Sequence, residues 1–224
     1  MTVQGENVFL LDPIVGLEAP LIEDPFNHLN LDGTPFMWGL LGDWQMALAD
    51  GHGKVLKGTA GSSIGFTEAF RGDPGWINKP GESSYMNYFV QADVKLLSAT
   101  AAAGLCLRVA YDEAGHGDRF YELHLNGVQS ELQLRRRVWV EGMPGHWDWE
   151  RLGSWGLSNP TGWHTIAVEA VNSPTPPYLT FKCYLDGVQH TVTRDWGYPD
   201  GLVGLWVESG AALFDNVKVL DLRQ

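Results

Sequence analysis

Tyr88-Phe89-Val90-Gln91-Ala92-Asp93-Val94-Lys95-Leu96 is the stretch that decides the fold class of this 224-residue chain. Val90, Ala92 and Val94 fall on one side, and Gln91, Asp93 and Lys95 on the other. Period two is the mark of a strand with one buried face, whereas a helix needs apolar residues three and four apart. The pattern continues downstream. Leu105, Leu107, Val109 and Tyr111 share a face opposite Cys106, Arg108 and Ala110. Tyr121, Leu123 and Leu125 point inward, with Phe120, Glu122 and His124 outward. Leu132, Leu134 and Arg136 oppose Glu131, Gln133 and Arg135.

No segment carries a convincing helical period. Asp50-Gly51 and Asp186-Gly187 mark tight hairpin turns. Residues 163–171, 178–185 and 189–194 read as strands, 201–207 and 212–220 as a closing hairpin, and 140–160 as a loop or loose hairpin. Residues 59–83 form a long Gly-, Ser- and Pro-bearing loop. Ten or more short strands at regular spacing imply an all-β fold, a two-sheet antiparallel jelly-roll β-sandwich. Residues 1–21 read as an N-terminal arm or edge strand, and 22–224 as a single β-sandwich domain.

Composition narrows the function. Lys and Arg number 15 against 27 Asp and Glu, a net charge of −12. That disfavours nucleic acid and anionic membranes, which need positive potential. No apolar run reaches the roughly 20 residues of a spanning helix. Met1–Glu6 has no basic region of a signal peptide, so the compartment stays open between a mature extracellular domain and a cytoplasmic or virion protein. Cys106 and Cys183 both lie within apolar strand patterns and read as buried free thiols. Without a C-x-x-C or H-E-x-x-H pattern, a zinc site has no support.

Three stretches resemble the concanavalin A-like lectin/glucanase superfamily, in its laminin-G and 3-keto-disaccharide-hydrolase branch. They are EDPFN with GDWQMALADGHGKVLKG, then WHTIAVEA with LTFKCYLDGVQ, and YPDGLVGLWVESGAALFDNVKV. The resemblance spans about Ile22 to Leu220 and implies the fold, with sugar-binding modules and glycosidases among its members. It also implies a structural calcium where the first and last strands meet, held by Asp215 with Glu23 or Asp24. Calcium takes six to eight hard oxygens.

Parity places Arg108, Glu122, His124, Gln133 and Arg135 on one sheet face, and Trp206 and Glu208 can join them from the closing hairpin. Charged side chains that bond neighbouring hydroxyls, beside an indole that stacks on a pyranose or furanose, are what sugar recognition needs. Trp147 and Trp149, two apart, offer a second stacking platform. The leading expectation is a calcium-stabilised, lectin-like module binding an oligosaccharide or polysaccharide on its concave sheet.

An enzyme is the alternative. The glucanases' E-x-D-x-E strand is absent, so a glycoside hydrolase or other enzyme acting on a sugar-like ring would depend on Glu122 or Glu208 as acid or base, with His124 assisting. A third reading is a structural virion or surface-assembly protein that docks or self-associates through the N-terminal arm.

Overall fold

Each alternating strand has one apolar face to hide, and two sheets hide those faces against each other. The computed structural model describes residues 22–24, 26, 39–40, 43–60, 64–66, 87–112, 117–140, 147–174 and 177–222. The expected arm at 1–21 and most of the 59–83 loop lie outside the described residues. In chain order the strands are β1 (Ile22–Asp24), β2 (Gly39–Leu40), β3 (Trp44–Ala49), β4 (Gly53–Thr59), β5 (Ile64–Phe66), β6 (Tyr88–Leu96), β7 (Ala102–Asp112) and β8 (Gly117–Asn126). They continue with β9 (Glu131–Trp139), β10 (Trp147–Gly156), β11 (Trp163–Pro174), β12 (Pro177–Leu185), β13 (Val188–Asp195), β14 (Leu202–Ser209) and β15 (Ala211–Asp221). No helix occurs among the described residues.

One sheet runs β13-β12-β11-β6-β15-β4-β3, with β1 beside β15; the other runs β10-β9-β8-β7-β14-β5-β2. Every pairing is antiparallel. The core lies between the sheets and takes the predicted faces: Val90, Ala92 and Val94 from one sheet meet Leu105, Leu123 and Leu134 from the other, all fully buried. Asp186 and Gly187 both have positive φ, 48° and 85°, as the β12–β13 hairpin turn requires. Both cysteines are buried, and burial pushes the Cys183 thiol up to about 12.

Three expectations are corrected. Residues 147–156 are not a loose loop but the edge strand β10, with Trp149 opposite Arg137. The last two strands are not hairpin partners. β14 joins β7 and β5, whereas β15 joins β6, β4 and β1, so the chain crosses between sheets at Gly210. Gly210 has φ 67°, and a Cβ there would lie 2.8 Å from the Ala101 Cβ.

The third correction is Arg108. The β7–β8 register slips between Leu107 and Ala110, and Arg108 has φ 56°. A bulge of this kind re-aims side chains. Val109 now packs on the outer side with Cys106 and Phe120, and Arg108 turns in between the sheets. It is fully buried. Its backbone N–H donates to the Tyr88 hydroxyl at 3.1 Å, and its Nη1 donates to Asn172 Oδ1 at 3.1 Å. The guanidinium lies 5.4 Å from the centre of the Tyr88 ring. Burial lowers the basicity of Arg108 and lifts Tyr88 to about 12. Arg108 therefore ties the sheets together and is not a ligand residue. Arg108→Ala is expected to destabilise the fold by about 3 kcal/mol or more, read by urea unfolding.

Candidate ligand-binding site

The outward face of the seven-stranded sheet carries the remaining charged residues. Register aligns Trp206 with Gly104, Gly104 with His124, and His124 with Gln133. In the next row Gly204 meets Cys106, Cys106 meets Glu122, and Glu122 meets Arg135. Gly104 on β7 thus puts no side chain between Trp206 on β14 and His124 on β8.

Arg135 organises the face. Its Nε and Nη2 donate to Glu122 Oε2 at 2.8 and 2.7 Å. The same Nη2 lies 2.7 Å from Glu208 Oε2. Glu208 is on β14, so this ion pair spans β7 and β8 above the sheet. The guanidinium also rests 3.8 Å from the centre of the Trp149 ring. Phe120 forms the buried floor, with Trp149 at 5.6 Å and Trp206 at 5.5 Å between ring centres. Both indoles are partly exposed.

Beneath the ion pair sit Glu122 and His124, each fully buried, with His124 Nδ1 3.5 Å from Glu122 Oε1. Burial raises Glu122 to about 7, opposed by the Arg135 charge and helped by that of Glu208. Burial, then the Arg135 and Arg151 charges, holds His124 well below the usual imidazole range, so it is neutral. Burial also works against the Arg135 charge, but Glu122 and Glu208 outweigh it and raise its pKa.

The predicted residues therefore divide. Glu122, His124, Gln133, Arg135, Trp206 and Glu208 share the face, and Arg108 does not. Gln133 is 3% exposed and spends its amide locally, donating to Glu131 Oε2 at 2.8 Å and to Gln129. Glu131 pairs with Asn126 in register and with Arg151 at 3.6 Å, away from Glu122. Trp147 opens β10 opposite Trp139, and its side chain lies outside the described residues. Trp149, expected with Trp147 as a stacking platform, stands on this same face, and Phe120 emerges as its floor.

The expected calcium residues sit at a break in β15. β15 pairs with β4 through Phe214 and with β1 from Val217, which sets Glu23 opposite Lys218 and Asp24 opposite Val217. Between these pairings lies Asp215, 2% exposed, its Oδ2 2.8 Å from His52 Nδ1 and its Oδ1 accepting the Asn216 N–H at 2.8 Å. Burial raises Asp215, and the His52 hydrogen bond opposes that. His52 stacks on Trp163 at 3.9 Å between ring centres. Among the described residues, no three His, Cys, Asp or Glu gather as a metal cage. The His52–Asp215 pair was not foreseen, because Gly51-His52-Gly53 reads only as a turn.

No family model matches the chain, and no curated protein matches its sequence. Solved structures do match. The carbohydrate binding module CBM66 from Bacillus subtilis superposes with a TM-score of 0.58 at 16% identity, covering 83% of this chain and 96% of that one. A glycoside hydrolase family 16 endo-glucanase from Bacteroides ovatus gives 0.56 at 12% identity, over 89% and 100%. The fold is the concanavalin A-like jelly roll. The CBM2 module of the evolved Dit of Lactobacillus casei BL23 phage J-1 gives 0.50 at 12% identity, over 92% and 97%. At these identities a concanavalin A-like likeness speaks for architecture and not for activity.

Glu122 also links the face to stability. Its folded pKa of about 7 exceeds its ordinary 4.5, so the folded state holds the proton more tightly. That contribution is complete below about pH 4.5 and is lost as pH rises through about 7. Relative to Glu122→Gln, the wild-type protein should lose roughly 3 kcal/mol of unfolding free energy across this window. Urea titrations of both proteins at several pH values check it.

Proposed function

We propose that this chain binds a carbohydrate on the outward face of its seven-stranded sheet, taken as the concave one. The observation that carries this is the pair of partly exposed indoles, Trp149 and Trp206, flanking the Glu122–Arg135–Glu208 chain over the Phe120 floor. Indole faces suit the C–H face of a sugar ring, and a fixed guanidinium and carboxylate suit its hydroxyls. An ordinary solvated sheet face leaves its charges in water. Here Arg135 is only 11% exposed at its side chain and an aromatic floor is wholly buried. The net charge of −12 fits a neutral glycan better than a polyanion.

A second reading, glycoside hydrolysis, draws on one specific observation. Glu122 Oε2 and Glu208 Oε2 both touch the same Arg135 nitrogen at 2.7 Å, so they lie within about 5.4 Å of each other. Retaining enzymes hold their carboxyl groups roughly 5–5.5 Å apart. Against this reading, a guanidinium clamped between the two carboxylates blocks the space a glycosidic oxygen needs. Binding without turnover is therefore preferred.

A structural calcium belongs to the proposal at the β1–β15 junction. Asp215 would exchange its His52 contact for the ion, and Glu23 or Asp24 would add a second carboxylate. A calcium-dependent rise in melting temperature, reversed by EDTA and absent in Asp215→Asn, supports that part; no shift removes it.

The principal test is a glycan array followed by calorimetry on a captured sugar. Trp206→Ala and Trp149→Ala should each weaken binding about tenfold, near 1.4 kcal/mol, with unchanged circular dichroism. Unchanged affinity in both variants overturns the site. Product release that disappears in Glu122→Gln while binding persists selects the hydrolase instead.

A further inference from the structure

Resting on the carbohydrate reading, we infer that the ion pair across the sheet roofs a hydroxyl pocket, and that the sugar it admits is uncharged there rather than a uronic acid. Glu122 Oε1, both ring nitrogens of His124 and Trp206 Nε1 are buried atoms without a hydrogen-bond partner among the described residues. Buried polar atoms are nearly always bonded, so a cluster of such atoms on one face marks a place built for a partner. Glu122 and His124 are fully buried, and register sets Trp206 and His124 on either side of Gly104. Gly104 puts no side chain between them, and a Cβ there would lie 2.5 Å from the His124 Cα.

The roof is the Arg135–Glu208 pair, 2.7 Å long and anchored at its far end by a side chain 32% exposed. Glu208 is thus the part that can swing into water, whereas Arg135 is also held by Glu122 and Trp149. A ligand that displaces Glu208 reaches both Arg135 and the atoms below.

Those atoms define the chemistry. Ionised Glu122 accepts at Oε1, Trp206 Nε1 donates, and neutral His124 offers one donor and one acceptor. Hydroxyl groups, each giving and taking a hydrogen bond, satisfy this mixed set. A carboxylate can replace Glu208 on Arg135, but it only accepts, so it cannot satisfy Glu122 Oε1 and sets a second negative charge beside it. An ammonium group would face Arg135. The pocket therefore selects unmodified hydroxyls, including a primary hydroxymethyl, over the corresponding acid.

The experiment compares methyl glucoside with methyl glucuronide, and methyl galactoside with methyl galacturonide, on the intact chain at about pH 8.5, where Glu122 is ionised. Tryptophan fluorescence reads occupancy, and nitrogen-15 NMR reads the His124 ring. The neutral member of at least one pair should bind tenfold or more tightly and shift the His124 ring nitrogens at saturation. Glu122→Gln should narrow that ratio, which the overall charge of −12 cannot explain because it barely changes. The preference should also survive a rise in salt that screens distant charges. Equal binding of acid and neutral sugar, an unmoved His124 at saturation, or an unchanged ratio in Glu122→Gln overturns the pocket and leaves the carbohydrate reading standing. If none of these sugars and no array glycan binds, both fall.

Discussion

A residue in a strand can point to only one of two sides, and the whole molecule is organised by that restriction. β8 shows it most clearly. Tyr121, Leu123 and Leu125 enter the core, while Phe120, Glu122 and His124 face the other way. One strand thus supplies the packing between sheets and the centre of the candidate site. Side chains held this way inherit the rigidity of the core beneath them, which is what a preorganised binding face needs. The restriction is lifted only where the register slips. In β7 that slip sends Arg108 inward and Val109 outward, exchanging a charge for an apolar group on each side.

Burying charge on both sides of a sheet is costly unless every group finds company, and the chain meets this differently in each place. Arg108 sits against Tyr88 and Asn172 of the opposite sheet. At the end of the sandwich, Asp195 accepts from the Tyr121 hydroxyl, from Arg136 Nη1 at 2.8 Å and from the Gly197 N–H at 3.0 Å. Gly197 has no alternative there, because a Cβ would lie 2.2 Å from the Tyr121 hydroxyl. On the outer face Arg135 serves two carboxylates, yet Glu122 and His124 keep atoms without partners among the described residues. The Asp195 network leaves one nitrogen, Arg136 Nε, without a hydrogen-bond partner among the described residues, whereas the face proposed for ligand gathers four such atoms.

Much of the fold was legible because burial on one face writes a period of two directly into residue order. The core faces of β6, β8 and β9 follow from it without further information. The grouping of Glu122, His124, Gln133 and Arg135 followed too, since neighbouring strands share a face whatever their loops do. What alternation cannot reveal is where it is broken. The Arg108 bulge contains no glycine and no proline, so nothing local announces it. β10 was obscured by the tryptophans and glycines that make 147–156 look irregular. The Glu208–Arg135 pair depends on which sheet β14 joins, and the short Ser209-Gly210-Ala211 link reads as a hairpin although it crosses between sheets. The His52–Asp215 pair joins residues 163 positions apart, a separation at which pattern carries no signal.

The crossing at Gly210 has a consequence for the order of assembly. β14 lies between β7 and β5, and β15 lies between β6 and β4, so the last two strands are interior members of separate sheets. Until residues 202–221 arrive, each sheet has a gap through its middle and two unsatisfied edges facing it. During synthesis from the N-terminal end, the earlier strands must wait with those edges open. Closing both gaps together couples the sheets into one late, cooperative event, and contacts this distant in sequence make folding slow. The interval before that closure is when strand-to-strand association with other chains is easiest.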